Sequence, residues 1–317
     1  MKRLAVGIDI GGTNTVFGLV DEKGNCLKQD SIYTKKFDLF EDFIQELSSQ
    51  IKLLYSDFNK HYELRGVGVG APNANYLDQT IQAASNLPWK GKLELGSLLN
   101  QSLNLPIYVT NDANAAALAE MIFGAAVGMK DFMVLTLGTG LGSGIVVNNE
   151  LVYGHTGFAG EVGHMIVRTN GRQCGCGRSG CLETYVSAPG IKRTVSKLFA
   201  KYSFESELRS IPFNRMSARR LADAAYAGDL IAIESFEFTG KILGIALANI
   251  VAVNNPEAIF LAGGLSKAGD LILKPTQYHM EENLLSVFKG KTILKISAIG
   301  GNSGLLGAAA LVWKVVE

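Results

Sequence analysis

The chain reads as a two-lobed α/β protein built by duplication, with its ligands held in a cleft between the lobes. Two observations predict this. A strand–glycine turn–strand module occurs at residues 3–33 and again at 131–153, and each copy is followed by a helical stretch and further strands. The strands run into glycine- and asparagine-rich loops, and in α/β architectures ligands sit where loops leave the strand ends.

The first copy runs LAVGIDI, GGTN, TVFGLVD, EKGN and CLKQDSIYT. Short β-rich runs bounded by Gly and Asn predict consecutive hairpins. Over 39–55, Phe40, Phe43, Ile44, Leu47, Ile51 and Leu54 recur at helical spacing. RGVGVGAP (65–72) and PIYVTND (106–112) predict buried strands ending in functional loops. ANAAALAEMIFG (113–124) predicts an alanine-rich helix with Asp112 as its N-cap. The second copy runs FMVLTL, GTGLG, SGIVV, NNE and LVYG. KILGIALANIVAVNN (241–255) predicts a helix, EAIFLAGG (257–264) a strand entering a glycine turn, and SGLLGAAALVWKVV (303–316) a final helix. No Pro- or Ser-rich linker marks a boundary. It is placed near residue 118, giving a small lobe of 1–118 plus the C-terminal helix 303–317, and a large lobe of 119–302 that carries the cysteine loop.

A chain of 317 residues suits two domains and a substantial core. The formal net charge of +1 gives no electrostatic case for nucleic acid or for an anionic membrane. No apolar run reaches the roughly 18–20 residues that span a bilayer. Asp9 interrupts the apolar N-terminal stretch, so no secretory leader is expected and the protein is expected in the cytoplasm. Cys174, Cys176 and Cys181 cluster closely, which favours a metal over a disulfide framework. Cys26 stands apart and reads as apolar filler.

DIGGTN (9–14) suits a phosphate loop. Gly11 and Gly12 expose backbone N–H groups, Thr13 and Asn14 add donors, and Asp9 can hold Mg²⁺ through water. A plain hairpin turn asks for the same glycines. LGTGLGSG (137–144), with Gly138, Thr139 and Gly140, is the matching loop of the second copy, and the pair together favours nucleotide binding. Neither fits G-x-x-x-x-G-K-[ST], which excludes a P-loop enzyme. LAGGLS (261–266) is a third such turn, in which Gly263 and Gly264 either seat an adenosine or simply turn the chain. Asn111 and Asp112 stand at a strand-to-helix junction, where a transferring phosphate is favoured. Asp112 can accept a hydroxyl proton as that oxygen attacks phosphorus; an aspartate here is equally a simple helix cap. His164, Cys174, Cys176 and Cys181 make a Cys₃His set suited to tetrahedral Zn²⁺, and four protein ligands close the site as a structural one. Glu161 and Glu183 are drawn to the same place, where they suit hydrogen bonds to a polyhydroxylated substrate or a charged surface.

DIGGTN, GVGAP, NLPW, NDANAAALAE, LTLGTGLGSGIV, GEVGHM, CGCGRSGCLE, AGGLS and GNSGLLGAA follow one another in the order of the ROK family (repressor, open reading frame, kinase). The chain resembles the glucokinase-like members of that family over essentially its whole length. The resemblance implies an RNase H-like fold of the hexokinase/actin/Hsp70 superfamily. It implies ATP-dependent phosphorylation of a hexose, with glucose to glucose 6-phosphate as the first choice, in glycolysis. Asp112 then corresponds to the general base, with Asn111 on the sugar beside it. Glu161, His164 and Glu183 correspond to sugar ligands, and His164 is shared with a structural Zn²⁺ held also by Cys174, Cys176 and Cys181. One ring nitrogen can bind zinc while the other donates to a sugar hydroxyl. Asp9, Gly11, Gly12, Thr13 and Asn14 correspond to the first phosphate loop for ATP with Mg²⁺, Gly138, Thr139 and Gly140 to the second, and Gly263 and Gly264 to the adenosine turn. The resemblance also implies a homodimer or higher homo-oligomer.

Where many family glucokinases carry a glycine after GAP, this chain has Asn73, in a loop that faces the sugar in the family. Asn86 of NLPW is compatible with a glucose-type pocket. Mannose, fructose, allose, N-acetylglucosamine and N-acetylmannosamine stay open as substrates. The lack of an arginine near Asn73 leans against the last. The family also contains sugar-responsive transcription factors and non-catalytic sensors. No basic recognition helix precedes the loop at residue 9, which speaks against DNA binding. Retention of Asp112 and of both phosphate loops favours catalysis over sensing.

Overall fold

A computed structural model describes residues 1–84, 86–300 and 303–316. The chain forms two compact units, Met1–Gly128 with Leu151–Ala159 and Ala298–Glu317, and Met129–Glu150 with Gly160–Ser297.

In the first unit, β1 (Lys2–Ile10), β2 (Asn14–Asp21) and β3 (Cys26–Tyr33) make the two successive antiparallel hairpins that the glycine turns predict. After α1 (Phe40–Ser56), β4 (Tyr62–Ala71) pairs with β1 in parallel. The short strands β5 (Ala74–Asn75), β6 (Thr80–Gln82) and β7 (Lys92–Leu93) form a small sheet of their own. After α2 (Leu95–Leu103), β8 (Ile107–Asn111) joins β4 in parallel and runs without a loop into α3 (Asp112–Phe123). The main sheet is thus ordered β3-β2-β1-β4-β8. The apolar stripe of α1 is buried with Phe17, Val67 and Val69 of the sheet.

The second unit repeats the plan with β9 (Phe132–Leu137), β10 (Leu141–Val147), β11 (Glu150–Leu151), β12 (Ala258–Ala262) and β13 (Ile293–Ile296). Their order, β11-β10-β9-β12-β13, places a hairpin and then two parallel strands as in the first sheet. Its helices are α4 (Ala188–Lys201), α5 (Ala218–Tyr226), α6 (Leu230–Asn254) and α7 (Asp270–Asn283). The sequence places only residues 241–255 in helix. Glu234 and Glu237 break the apolar pattern of the first half of α6 and hide its start. By length and composition α6 is also apolar enough to cross a membrane, contrary to the expectation that no segment reaches that length. Most of that apolar stretch is buried, with Phe236, Leu243, Leu247 and Val251 in the core and α4, α5 and α7 packed around it. Its apolarity is that of a core helix.

The last helix, α8 (Ser303–Val316), belongs to the first unit and lies on β1 and β4. Helix and sheet meet backbone to backbone. A Cβ at Gly7 would strike the Leu305 carbonyl, and one at Gly68 the Ala308 carbonyl. Against α3 the approach is as close, since a Cβ at Gly307 would strike the Ala115 carbonyl. This packing keeps α3 whole within the first unit. The contact boundary falls after Gly128, whereas a boundary near 118 would cut α3 in two. Gly301 and Asn302 of GNSGLLGAA lie outside the described residues.

Candidate functional site

In the first unit the chemistry gathers at the exits of β1 and β8. Asp9 is the penultimate residue of β1, and Gly11 closes the following turn by donating its N–H to the Asn14 carbonyl at 3.0 Å. Gly12 has no room for a side chain, because a Cβ there would lie 2.5 Å from the Asn86 carbonyl. The DIGGTN turn and the NLPW segment are therefore neighbours. The Asp9 carboxylate rests on Gly304, near the start of α8, where a Cβ would collide with it. Burial, and then the nearby Asp112 carboxylate, push the pKa of Asp9 up to about 6.

Asn111, not Asp112, caps α3. Its Oδ1 accepts the Asn114 N–H at 2.6 Å, and Asp112 is the first helical residue. The cap occupies that oxygen and leaves Nδ2 as the group of Asn111 that can reach a ligand. Asp112 Oδ1 accepts the adjacent Ala113 N–H at 2.9 Å. Desolvation raises the pKa of Asp112, against the backbone amides that lower it, although solvent still reaches the side chain. Such a carboxylate is set deep among protein atoms and open on one side, which is what a base that meets its substrate needs.

Asn73 has a φ of 52°, in the left-handed region. After glycine, asparagine is among the residues most at ease there, which explains how the chain makes this turn without a glycine. Sequence reasoning missed the clasp behind it. Asn75 is buried, donates from Nδ2 to the Thr156 carbonyl at 2.7 Å and accepts the Leu77 N–H at 2.9 Å. Tyr76 stacks on Tyr153 with ring centroids 4.2 Å apart. These contacts draw residues 151–159 into the first unit. Cys26 is half-buried beside a small apolar cluster that includes Ala5 and Val20, as a filler would be.

In the second unit a 3-10 turn, Val162–His164, presents His164 to the loop of Cys174, Cys176 and Cys181. The four donor atoms lie within 4.8 Å of one another. Cys176 and Cys181 Sγ are 3.7 Å apart, and so are Cys174 Sγ and His164 Nδ1. Donors about 2.3 Å from a tetrahedral ion stand roughly 3.8 Å apart, so the set is compatible with one zinc. The other ring nitrogen, Nε2, faces Glu161 Oε2 at 3.9 Å. Arg178 donates to the His164 carbonyl at 3.0 Å. Its backbone N–H and guanidinium draw the Cys176 thiol down to about 6.

Arg172, unremarked in the sequence, anchors this loop. Its buried guanidinium donates to the Thr184 and Gly190 carbonyls, both at 2.8 Å, and to Thr194 Oγ1 at 2.9 Å. It also lies over the Tyr185 ring, 4.5 Å from the centroid. Burial lowers its pKa to about 10. Glu183 lies two residues after the last cysteine, within the 3-10 turn Leu182–Thr184, and its Oε2 accepts the Leu141 N–H at 3.0 Å. The Gly138 N–H bonds to the Gly140 carbonyl at 2.9 Å, and Leu265 N–H to the Leu137 carbonyl at 2.9 Å, so the second glycine loop and the turn of Gly263 and Gly264 lie side by side. Gly263 has a φ of 91°, which favours glycine, while a Cβ on Gly264 would meet open space.

The ROK family model matches residues 5–315. The chain belongs to the ROK family. It is 35% identical to the glucokinase of Halalkalibacterium halodurans, over 98% of this chain and 95% of that one. It is 29% identical to the xylose repressor of Bacillus subtilis, over 97% of this chain and 76% of that one. Among solved structures it is similar to a ROK family glucokinase from Streptomyces griseus in complex with glucose and AMPPNP. That structure has a TM-score of 0.80 and 31% identity, and the match covers 98% of this chain and 99% of that one. The ROK fold is the α/β fold shared with hexokinase, actin and Hsp70, as the motif order implied.

Proposed function

We propose that the chain is an ATP-dependent hexose kinase that converts glucose to glucose 6-phosphate, with Asp112 as general base. The observation that carries this reading is the division of labour at the start of α3. Asn111 satisfies the helix end, which leaves the desolvated Asp112 carboxylate without a capping role and beside Asp9. In the proposed step the sugar O6–H gives its proton to Asp112 as O6 attacks the γ-phosphorus. The O6–P bond forms, the bond from that phosphorus to the bridging oxygen breaks, and ADP leaves with the electron pair. Asp9 is suited to hold Mg²⁺ through water, and the ion would neutralise charge on the transferring phosphate. Gly11–Asn14 and Gly138–Gly140 would present backbone N–H groups to the phosphates, and Gly263 and Gly264 would line the adenosine. Asn111, Glu161, His164 and Glu183, with Asn73 and Asn86, would bind sugar hydroxyls. His164 Nδ1 and the three thiolates would hold a structural zinc, which fixes the ring so that Nε2 can serve the sugar.

The kinase reading draws support from the similarity to glucokinases along nearly the whole chain. A sensor reading has the similarity to the xylose repressor behind it. An ADP-release assay over glucose, mannose, fructose, allose, glucosamine, N-acetylglucosamine and N-acetylmannosamine decides between them. Release that depends on sugar and is fastest with glucose is expected. A different preferred sugar replaces glucose alone, and sugar binding without any ADP release replaces the kinase with a sensor.

A further inference from the structure

The Glu183 carboxylate is held to the second glycine loop. Oε2 accepts the Leu141 N–H at 3.0 Å, while Oε1 faces Cys174 Sγ at 3.8 Å. A Cβ at Gly140 would strike that same Oε2. Gly140 is not among the residues with positive φ, so what the glycine provides there is room for the carboxylate rather than backbone freedom. The other end of the loop is held from the same short segment, where the Ala188 N–H donates to the Gly138 carbonyl at 2.9 Å. Residues 183–190 thus grip both ends of the turn Gly138–Leu141.

That segment is stiff. Ser187 Oγ donates to the Glu183 carbonyl at 2.7 Å and accepts the Gly190 N–H at 3.1 Å. From the side of the cysteine loop, Arg172 clamps Thr184 and Gly190 by their carbonyls. An ionised carboxylate has about four acceptor positions on its two oxygens. One oxygen of Glu183 can therefore serve the glycine loop while the other meets a ligand near His164 and Cys174.

We propose that Glu183 positions the nucleotide loop as well as binding sugar, so that the affinities for sugar and nucleotide are coupled through this one side chain. The inference rests on the kinase reading, in which Gly138–Gly140 cradle phosphate and Glu183 meets the sugar. Coupling of this kind is reciprocal, because whatever displaces the carboxylate on one side changes its hold on the other.

The test measures binding of Mg²⁺-AMPPNP by calorimetry with no sugar present, in the unaltered chain, Glu183→Gln and Glu183→Ala. Zinc content and melting temperature are recorded for each. Glu183→Ala removes the acceptor for the Leu141 N–H and is expected to weaken the nucleotide about five- to tenfold, at the low end of site couplings. Glu183→Gln keeps an amide oxygen for that N–H, so nucleotide binding stays near that of the parent while sugar binding falls. If Glu183→Ala does not fold, Glu183→Asp, one methylene too short to reach Leu141, carries the same expectation. Unchanged nucleotide affinity in the alanine or aspartate variant overturns the inference and leaves Glu183 as a sugar ligand only. Failure of the unmodified protein to bind nucleotide at all would instead overturn the kinase reading.

Discussion

Asp112→Asn separates chemistry from structure because the two roles open to Asp112 fall on different residues. The α3 cap belongs to Asn111, and the hydrogen bond that Asp112 accepts from the Ala113 N–H at 2.9 Å can be kept by an amide oxygen. No loss of stability is expected from either contact. The charge change works in the opposite direction. Asp9 titrates at about 6 in the folded protein, against about 4 for an ordinary aspartate. The folded state therefore binds more protons than the unfolded state between these values. Stability falls as pH rises through that window, and the full cost, about 3 kcal/mol, is present at neutral pH. Burial is the larger cause and Asp112 the second, so removing the Asp112 charge returns less than half of it. At neutral pH the variant should melt no lower than its parent. Activity should behave differently, since the amide cannot take the sugar proton. General-base catalysis is worth about 10²–10⁴-fold, so kcat should fall by that factor, equivalent to about 3–5 kcal/mol of barrier. The assay is sugar-dependent ADP release at saturating substrates, with melting temperature as control. Near-normal kcat in a folded Asp112→Asn would refute the assignment and make Glu161 the next candidate. A lowered melting temperature would refute the account of the cap.

The remaining predictions concern the metal sites and pH. Cys176→Ser should lower zinc content below one ion per chain and raise the sugar KM; full folding without zinc at unchanged sugar KM would remove the structural role. The activity profile should lose its acid side well above the ordinary carboxylate range of about 4, because raised pKa values leave Asp9 and Asp112 protonated at higher pH, and only ionised carboxylates can serve metal or proton. A kcat profile measured from pH 5 to 8.5 that stays flat would contradict this. Gly304→Ala replaces a helical glycine, a change that ordinarily stabilises by about 1 kcal/mol, but here the methyl meets the Asp9 carboxylate. The Mg²⁺ concentration for half-maximal nucleotide binding should rise, and a more stable protein with unchanged Mg²⁺ dependence would show that Asp9 does not need that space.

The sequence alone determined the hairpins of both sheets, α1 and α8, the duplication and the family. Each rests on local rules: alternation between glycine turns, helical spacing of apolar residues, and motifs kept in order. It also singled out His164 and the three cysteines as one ligand set, because three thiols and an imidazole are the donors that suit a tetrahedral zinc. Only the tertiary structure decided which of Asn111 and Asp112 caps α3, since both residue types suit the cap and the choice turns on where the helix begins. Packing likewise buried the first half of α6, whose glutamates read as surface, and set α8 against β1 and β4 through Gly7 and Gly68. The bond from Leu141 to Glu183 joins residues 42 apart in the chain. The grip of Arg172 on the same segment is of that kind too. Backbone propensities act over a turn or two of chain, whereas such contacts exist only once the sheets and helices have closed around their cores.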